Sequence, residues 1–237
     1  PGNERNLRYM ENALAGNAKA KKYLVDRGLD LKRLAEHFRL GLDRENNQKG
    51  YLLRVPIIDR NGVVTKRSAV YPIEGVTSKE FGVKPKCVGA VVFSYATARL
   101  NQKYLFICEG FKDQWMLAEK IAGTEYENQI LIVTSTHGTT VPAISEVRSY
   151  YQGFSQVFLG HDTDGKSEGP IKRLALAIGA KHRRAAVPDG FGKDWTDFFN
   201  MGGTIEEFFE VLWSAEQVEM PIIEQQQSMG LDDYKVG

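Results

Sequence analysis

A chain of 237 residues, 42% hydrophobic and 11% aromatic, has the composition of a globular protein of one or two domains, with no apolar run long enough to span a bilayer and no signal-peptide pattern. Two cysteines, Cys87 and Cys108, are too few for a disulfide framework or a four-cysteine zinc site and suit reduced structural thiols in a cytoplasmic protein. The net charge of +1 conceals a division: residues 1–103 hold 20 Lys+Arg against 10 Asp+Glu, a balance of +10, and residues 104–237 hold 11 against 20, a balance of −9.

Residues 1–16 have weak periodicity before a Gly16-Asn17 break, which suggests a mobile arm or linker remnant. A start at Pro1 rather than methionine suggests a piece of something longer. From Ala18, apolar Tyr23 and Leu24 with Gly28 as a stop predict a helix, and a second short one follows over 31–38 and closes near Gly41. YLLRVPIID (51–59), an Asn61-Gly62 turn and VVTKRSAVY (63–71) predict a β-hairpin. Residues 72–90 read as irregular and basic, with Lys79, Lys84 and Lys86 around Pro85. Residues 91–95 read as strand or loop, and 96–100 as a short helix.

After Gln102 strands alternate with helices. KYLFICEG (103–110) predicts a strand, 111–123 a helix, NQILIVTS (128–135) a strand, THGTT (136–140) a loop and 141–151 a helix. A strand ending at Gly160, a helix over 167–178, a strand over 180–188 and a helix over 204–213 with a Thr204/Glu207 capping box complete the series. Four strands alternating with helices imply parallel pairing and an α/β layer structure. The tail 216–237, polar with three consecutive glutamines, reads as mobile or a linker.

The stretch VFLGHDTDGKSEG (157–169) carries the chemistry. Asp162 and Asp164 follow the strand before a Gly165 turn, so an Asp-x-Asp pair leaves a carboxyl edge, where ligands bind in open α/β sheets. Glu109 ends an earlier strand with Asp113 four residues on, and Asp194 and Asp197 follow the last strand. Carboxylates converging from three loops repel unless cations neutralise them, which points to Mg²⁺ or Mn²⁺. All-oxygen ligands argue against zinc. Two such ions about 3.5–4 Å apart suit phosphoryl or nucleotidyl transfer. The plainer alternative is an Asp-rich turn.

In that order, Glu-Gly after one strand, Asp-x-Asp-Gly after a later one and a third acidic pair beyond resemble the Toprim domain of bacterial-type primases, type IA and II topoisomerases and some nucleases. YLVDRGL with HFRLG (23–41), RVPIIDRNG (54–62), KPK (84–86), FICEGFKD (106–113) and the GTT loop (138–140) resemble, in order, the RNA polymerase core of bacterial, phage and plasmid primases. GKDWTD (192–197) is closest to the plasmid and phage versions. The resemblance implies an α+β N-terminal subdomain (1–103), a mainly parallel Toprim subdomain (104–215) and a flexible tail (216–237). It further implies metal-dependent synthesis of short RNA primers on single-stranded DNA from ribonucleoside triphosphates, with a replicative helicase, fused or separate, as partner.

By the same resemblance Glu109 is the acid/base carboxylate, Asp162 and Asp164 the metal pair, and Asp113, Asp194 and Asp197 supporting acidic positions. Arg54, Lys66, Arg67, Lys84 and Lys86 fall where the family contacts template and triphosphate. Two departures stand out: Arg54 directly precedes Val55, whereas many bacterial primases place an arginine earlier in that strand, and the second Asp of the last motif comes one residue later than in the bacterial form. Neither a zinc-ribbon cluster nor a Gly-rich Lys-Ser/Thr phosphate loop occurs. A Toprim-type nuclease and a non-catalytic single-stranded DNA binding module are the alternatives. Trp115, Met116, Phe208, Phe209 and Trp213 read as core and Trp195 as packing the acidic loop on the sheet, while His137 and His161 flank the site, His161 suiting a turn as well as a functional role. The 135–140 loop suits a phosphate contact through its amides.

Overall fold

Apolar side chains spaced for one helical face decide the amino terminus. The computed structural model describes residues 4–43, 52–58, 63–72, 82–84, 91–93, 102–135, 151 and 153–219. Helix α1 (Glu4–Ala15) presents Leu7, Met10 and Leu14 at i, i+3 and i+7, with Leu7 and Leu14 buried. Residues 4–15 are therefore a docked helix and not the expected mobile arm; only these positions and Ala13 carry its periodicity. A Cβ at Gly41 would fall 2.4 Å from Met10 Cβ, so α1 lies directly on β1 (Gly41–Asp43).

Asn17 caps α2 (Ala18–Val25) and Asp30 caps α3 (Leu31–Phe38), each through its side-chain oxygen. The close of α3 comes at Arg39, in the left-handed region at φ 53°, rather than at Gly41. The Arg39 guanidinium pairs with Glu4 and Glu11 of α1.

The first sheet is antiparallel, in the order β1, β2 (Leu52–Ile58), β3 (Val64–Pro72), β4 (Gly82–Lys84). Strands β2 and β3 are the predicted hairpin, its Asn61-Gly62 turn lying outside the described residues. Their ladder pairs Pro56 with Ser68 but Ile58 with Val64, so the extra residues of β3 fall at 65–67. Strand β4 lies in the stretch expected to be irregular: three residues hold too little pattern to read, and pairing with β3 supplies their hydrogen bonds.

The second sheet runs in the order β5 (Val91–Phe93), β7 (Ile130–Ser135), β6 (Tyr104–Cys108), β8 (Gln156–Gly160), β9 (His182–Arg184). Strands β6 to β9 are parallel, and β5 pairs antiparallel at the edge, so this sheet already begins before residue 104. Both faces are covered, as parallel strands require. Leu105, Ile107, Val157 and Leu159 pack with Ile171 and Leu174 of α5 (Glu168–Ile178). Phe106, Cys108 and Phe158 pack with α4 (Phe111–Ile121), α6 (Trp195–Asn200) and α7 (Ile205–Ser214). Leu24, Leu34, Phe38 and Val55 join that second core, so the basic and acidic halves share one interior. Asp30 N donates to Glu119 at 2.7 Å across the same junction.

Several expectations need correction. The strand read over 180–188 is only 182–184, preceded by a 3₁₀ turn at 179–181; Ala185 N still reaches Leu159 O, and the chain leaves before Pro188, which has no N–H to give. Helix α6 went unread because six residues are too few to display a helical period. The start of the tail is not free: Arg184 N donates to Glu216 O at 2.7 Å and Val218 N to His182 Nε2 at 3.0 Å, covering the β9 edge. Trp213, expected in the core, is 47% exposed while its ring meets Tyr104 edge-on at 5.1 Å. The readings at 96–100, 136–150 and 220–237 lie outside the described residues. Among the described residues no helix is long and apolar enough to cross a membrane.

Candidate active site

Register brings the acidic loops together. Cys108 of β6 stands directly beside Gly160 of β8, so Glu109 and His161 leave the sheet at the same level. Close packing fixes that level: a Cβ at Gly160 would fall 1.9 Å from Phe106 Cζ, and Trp195 Nε1 donates to Gly160 O at 3.1 Å. Trp195 thus packs the acidic loop on the sheet, as expected, and is fully buried.

From β6 the chain passes Glu109 and enters α4, whose first turn carries Asp113. From β8 it passes Asp162 and Asp164, turns at Gly165 (φ 79°) and enters α5 behind Ser167. Asp162 N donates to Glu109 Oε2 at 3.3 Å, and Ser167 Oγ donates to the same oxygen. Asp164 Oδ1 accepts from Lys166 N at 3.0 Å, closing its turn. From β9 the chain reaches Lys193 and Asp194; Thr163 donates to Lys193 O through both its amide and its hydroxyl, tying this loop to the Asp-x-Asp loop.

The carboxylates have unequal surroundings. Burial, then the neighbouring Glu109 charge, raises the Asp162 carboxyl above its ordinary range, while Lys193 Nζ at 3.2 Å opposes the rise. The same contact raises the Lys193 ammonium. Asp113, 4% exposed, is pushed up to about 7 by burial and then by the Asp194 charge. Its Oδ1 accepts from Thr196 N at 2.9 Å and Thr196 Oγ at 2.7 Å, so Asp113 anchors the first turn of α6. Asp194 caps that helix by accepting from Asp197 N at 2.8 Å. Asp197 Oδ2 accepts from Lys193 N at 3.4 Å, its side chain lying against Gly192.

Half-buried Arg184 and buried His161 lie beside this edge. Arg184 donates to Leu159 O, His161 O and Asp162 O at 2.8, 2.9 and 3.3 Å, satisfying the carbonyls where β8 frays into the loop. His161 is buried and held down to about 4, by burial and then by the Arg184 charge, so it stays neutral at pH 7. The Cys108 thiol is raised by burial, in keeping with a structural role.

Glu109, Asp162, Asp164, Asp113, Asp194 and Asp197 therefore all occupy one sheet edge, joined by these contacts. Among the described residues, no three acidic, histidine or cysteine side chains converge closely enough to enclose a metal ion. The basic candidates sit apart, on the first sheet: Arg54 is half-buried in β2 opposite Gly41 and Val70, Lys66 and Arg67 lie in β3, and Lys84 pairs with Ser68. Lys86, His137 and the 136–140 loop lie outside the described residues. Ser167, Lys193 and Arg184 were missed as site residues, although GKDWTD already contained Lys193 beside an acidic motif.

The Asp113 environment has a pH consequence. A carboxyl whose folded pKa of about 7 lies above its ordinary 3.8 contributes stability that is fully present below pH 3.8 and lost as pH rises through about 7. Asp113→Asn keeps an acceptor for both Thr196 donors without the buried charge. In metal-free buffer its thermal midpoint should be no lower than that of the unmodified protein at pH 8, and its decline between pH 5 and pH 8 shallower. A decline of equal steepness in both proteins would remove the anomalous carboxyl from Asp113.

No protein-family profile matches the chain, and no curated protein matches it. Solved structures do. The zinc-binding and RNA polymerase domains of the Aquifex aeolicus primase superpose with a TM-score of 0.68 at 15% identity, over 97% of this chain and 63% of that one. A DNA primase domain from Pseudomonas aeruginosa gives 0.67 at 14% identity, over 96% and 81%. The primase fragment of the bacteriophage T7 primase-helicase protein gives 0.59 at 19% identity, over 80% and 73%. The chain thus has the mixed α/β fold of DNA primase domains and spans 63% of the length of the Aquifex chain.

Proposed function

We propose that the chain is the catalytic core of a DNA primase that joins ribonucleotides on a single-stranded DNA template. The observation that carries this reading is the Cys108–Gly160 register, which delivers Glu109 and the Asp162/Asp164 loop to one edge within a fold shared with primase domains. Residues 1–103 supply the basic subdomain, apart from β5, which joins the sheet of the Toprim-type subdomain (104–215), and 216–237 are a tail whose first residues dock on β9. Arg54, Lys66, Arg67, Lys84 and Lys86 position template and triphosphate, the excess of +10 in residues 1–103 supplying the attraction for polyanions.

The donor set is carboxylate oxygen, which suits Mg²⁺ or Mn²⁺. Mg²⁺ commonly takes only one or two protein carboxylates together with water and substrate phosphates, so an edge without a closed three-residue cage fits it. Asp162 and Asp164 would hold the ions, with Glu109 as a further ligand or as acceptor of the 3′-hydroxyl proton, and Asp113, Asp194 and Asp197 in support. Two ions there would stabilise charge on the attacking and leaving oxygens. Lys193 offsets the Asp162 charge in the protein itself, and Arg184 holds the loop main chain. A replicative helicase is the expected partner and the cytoplasm the expected compartment.

The protein incubated with single-stranded DNA, labelled ribonucleotides and Mg²⁺ or Mn²⁺ should yield short labelled oligonucleotides on a denaturing gel. Shortened template strands would replace this reading with a nuclease. Salt-sensitive, metal-independent DNA binding with no product would replace it with a binding module.

A further inference from the structure

Ser167 occupies the N-cap of α5 with its backbone in the helical region (φ −88°, ψ −4°), unlike the extended N-caps Asn17, Asp30, Asp194 and Thr204, whose side chains accept from the first turn. Here its side chain makes no cap bond. The hydroxyl donates instead to Glu109 Oε2, 58 positions away in sequence, and the residue is 1% exposed. Asp162 N donates to the same oxygen. Both donors thus land on Oε2, and among the described residues Oε1 accepts no hydrogen bond.

A glutamate side chain has three rotatable bonds and would otherwise sample several positions at a partly exposed strand end. A hydroxyl donating to a carboxylate is a charge-assisted bond, roughly twice as strong as a neutral one. We propose that Ser167 is a positioning residue for Glu109: it fixes the carboxylate by one oxygen so that the other is presented beside Asp162 to the incoming ligand. The inference rests on the proposed role of Glu109. It adds a residue that the acidic motifs do not contain.

The test is a double-substitution cycle on the full chain with Mn²⁺ alone as probe. Ser167→Ala should weaken Mn²⁺ binding, measured by calorimetric titration, about tenfold, the usual scale for removing a group that orients a ligand. The thermal midpoint should fall by no more than about 4 °C, since no helix cap is lost. In a Glu109→Gln background the same Ser167→Ala change should have no further effect on Mn²⁺ affinity. In primer synthesis Ser167→Ala should lower kcat about tenfold at unchanged nucleotide KM. Unchanged Mn²⁺ affinity in the Ser167→Ala protein, or an equal loss with and without Glu109, would overturn the assignment. If the unmodified protein binds Mn²⁺ but makes no primers, the primase reading fails while the cycle still decides Ser167.

Discussion

Replacing Asp162 and Asp164 together by Asn should abolish primer synthesis, by at least about a hundredfold, since substitutions merely adjacent to metal ligands already cost ten- to a hundredfold. Asn matches Asp in size, so the substitution removes charge and little else. Asp162 is already raised by burial and by Glu109, which means that its charge is held at some cost in the folded chain. Removing it should leave the thermal midpoint unchanged or slightly higher, even though Lys193 loses its partner. Single-stranded DNA binding, carried by the basic half, should persist with its salt dependence intact. The measurement is synthesis on a denaturing gel beside DNA binding by anisotropy at two salt concentrations. Synthesis at the unmodified rate would move the chemistry away from this edge.

Trp195→Ala should produce the largest loss of stability, about 3–5 kcal/mol. The ring is fully buried and meets Phe106, Phe198 and Phe208 at centroid distances of 5.7, 5.5 and 5.0 Å, so truncation opens a cavity between β6, α6 and α7. It also strips the Gly160 carbonyl of its indole donor. Trp195→Phe isolates that second effect and should cost about 1 kcal/mol beyond any repacking. Urea unfolding of the two variants separates the contributions. A Trp195→Ala loss below about 1 kcal/mol would mean that the site edge does not rest on this aromatic cluster.

How legible the fold was depended on the length and locality of each signal. Strands β6, β7 and β8 and helix α4 could be read because apolar runs of strand length alternate with a helical period and end at glycines or carboxylates. Helix α6 and strands β4 and β9 are too short to show a period, and α1 displays its face through few apolar positions. The place of Glu109 and Asp162 at one sheet edge was legible because each comes just after a parallel strand, whose carboxyl ends share that edge.

Ser167, Lys193 and Arg184 act instead through approaches that no local window contains. Ser167 and Lys193 reach carboxylates 58 and 31 residues away. Arg184 sits in the strand read over 180–188, yet its guanidinium serves carbonyls of β8 and the loop beyond. Asp113 shows the converse: its place beside the acidic edge was foreseen, whereas its attachment to Thr196 required the fold.

The first residues of the tail form a mechanical linkage. Glu216 holds the Arg184 main chain and Val218 holds His182, while the Arg184 side chain grips the carbonyl of Asp162. A displacement of residues 216–218 would therefore reach β9, and through a single arginine the loop that carries the Asp pair. Residues 216–218 and the loop that carries Asp162 are thereby fastened to one three-residue strand.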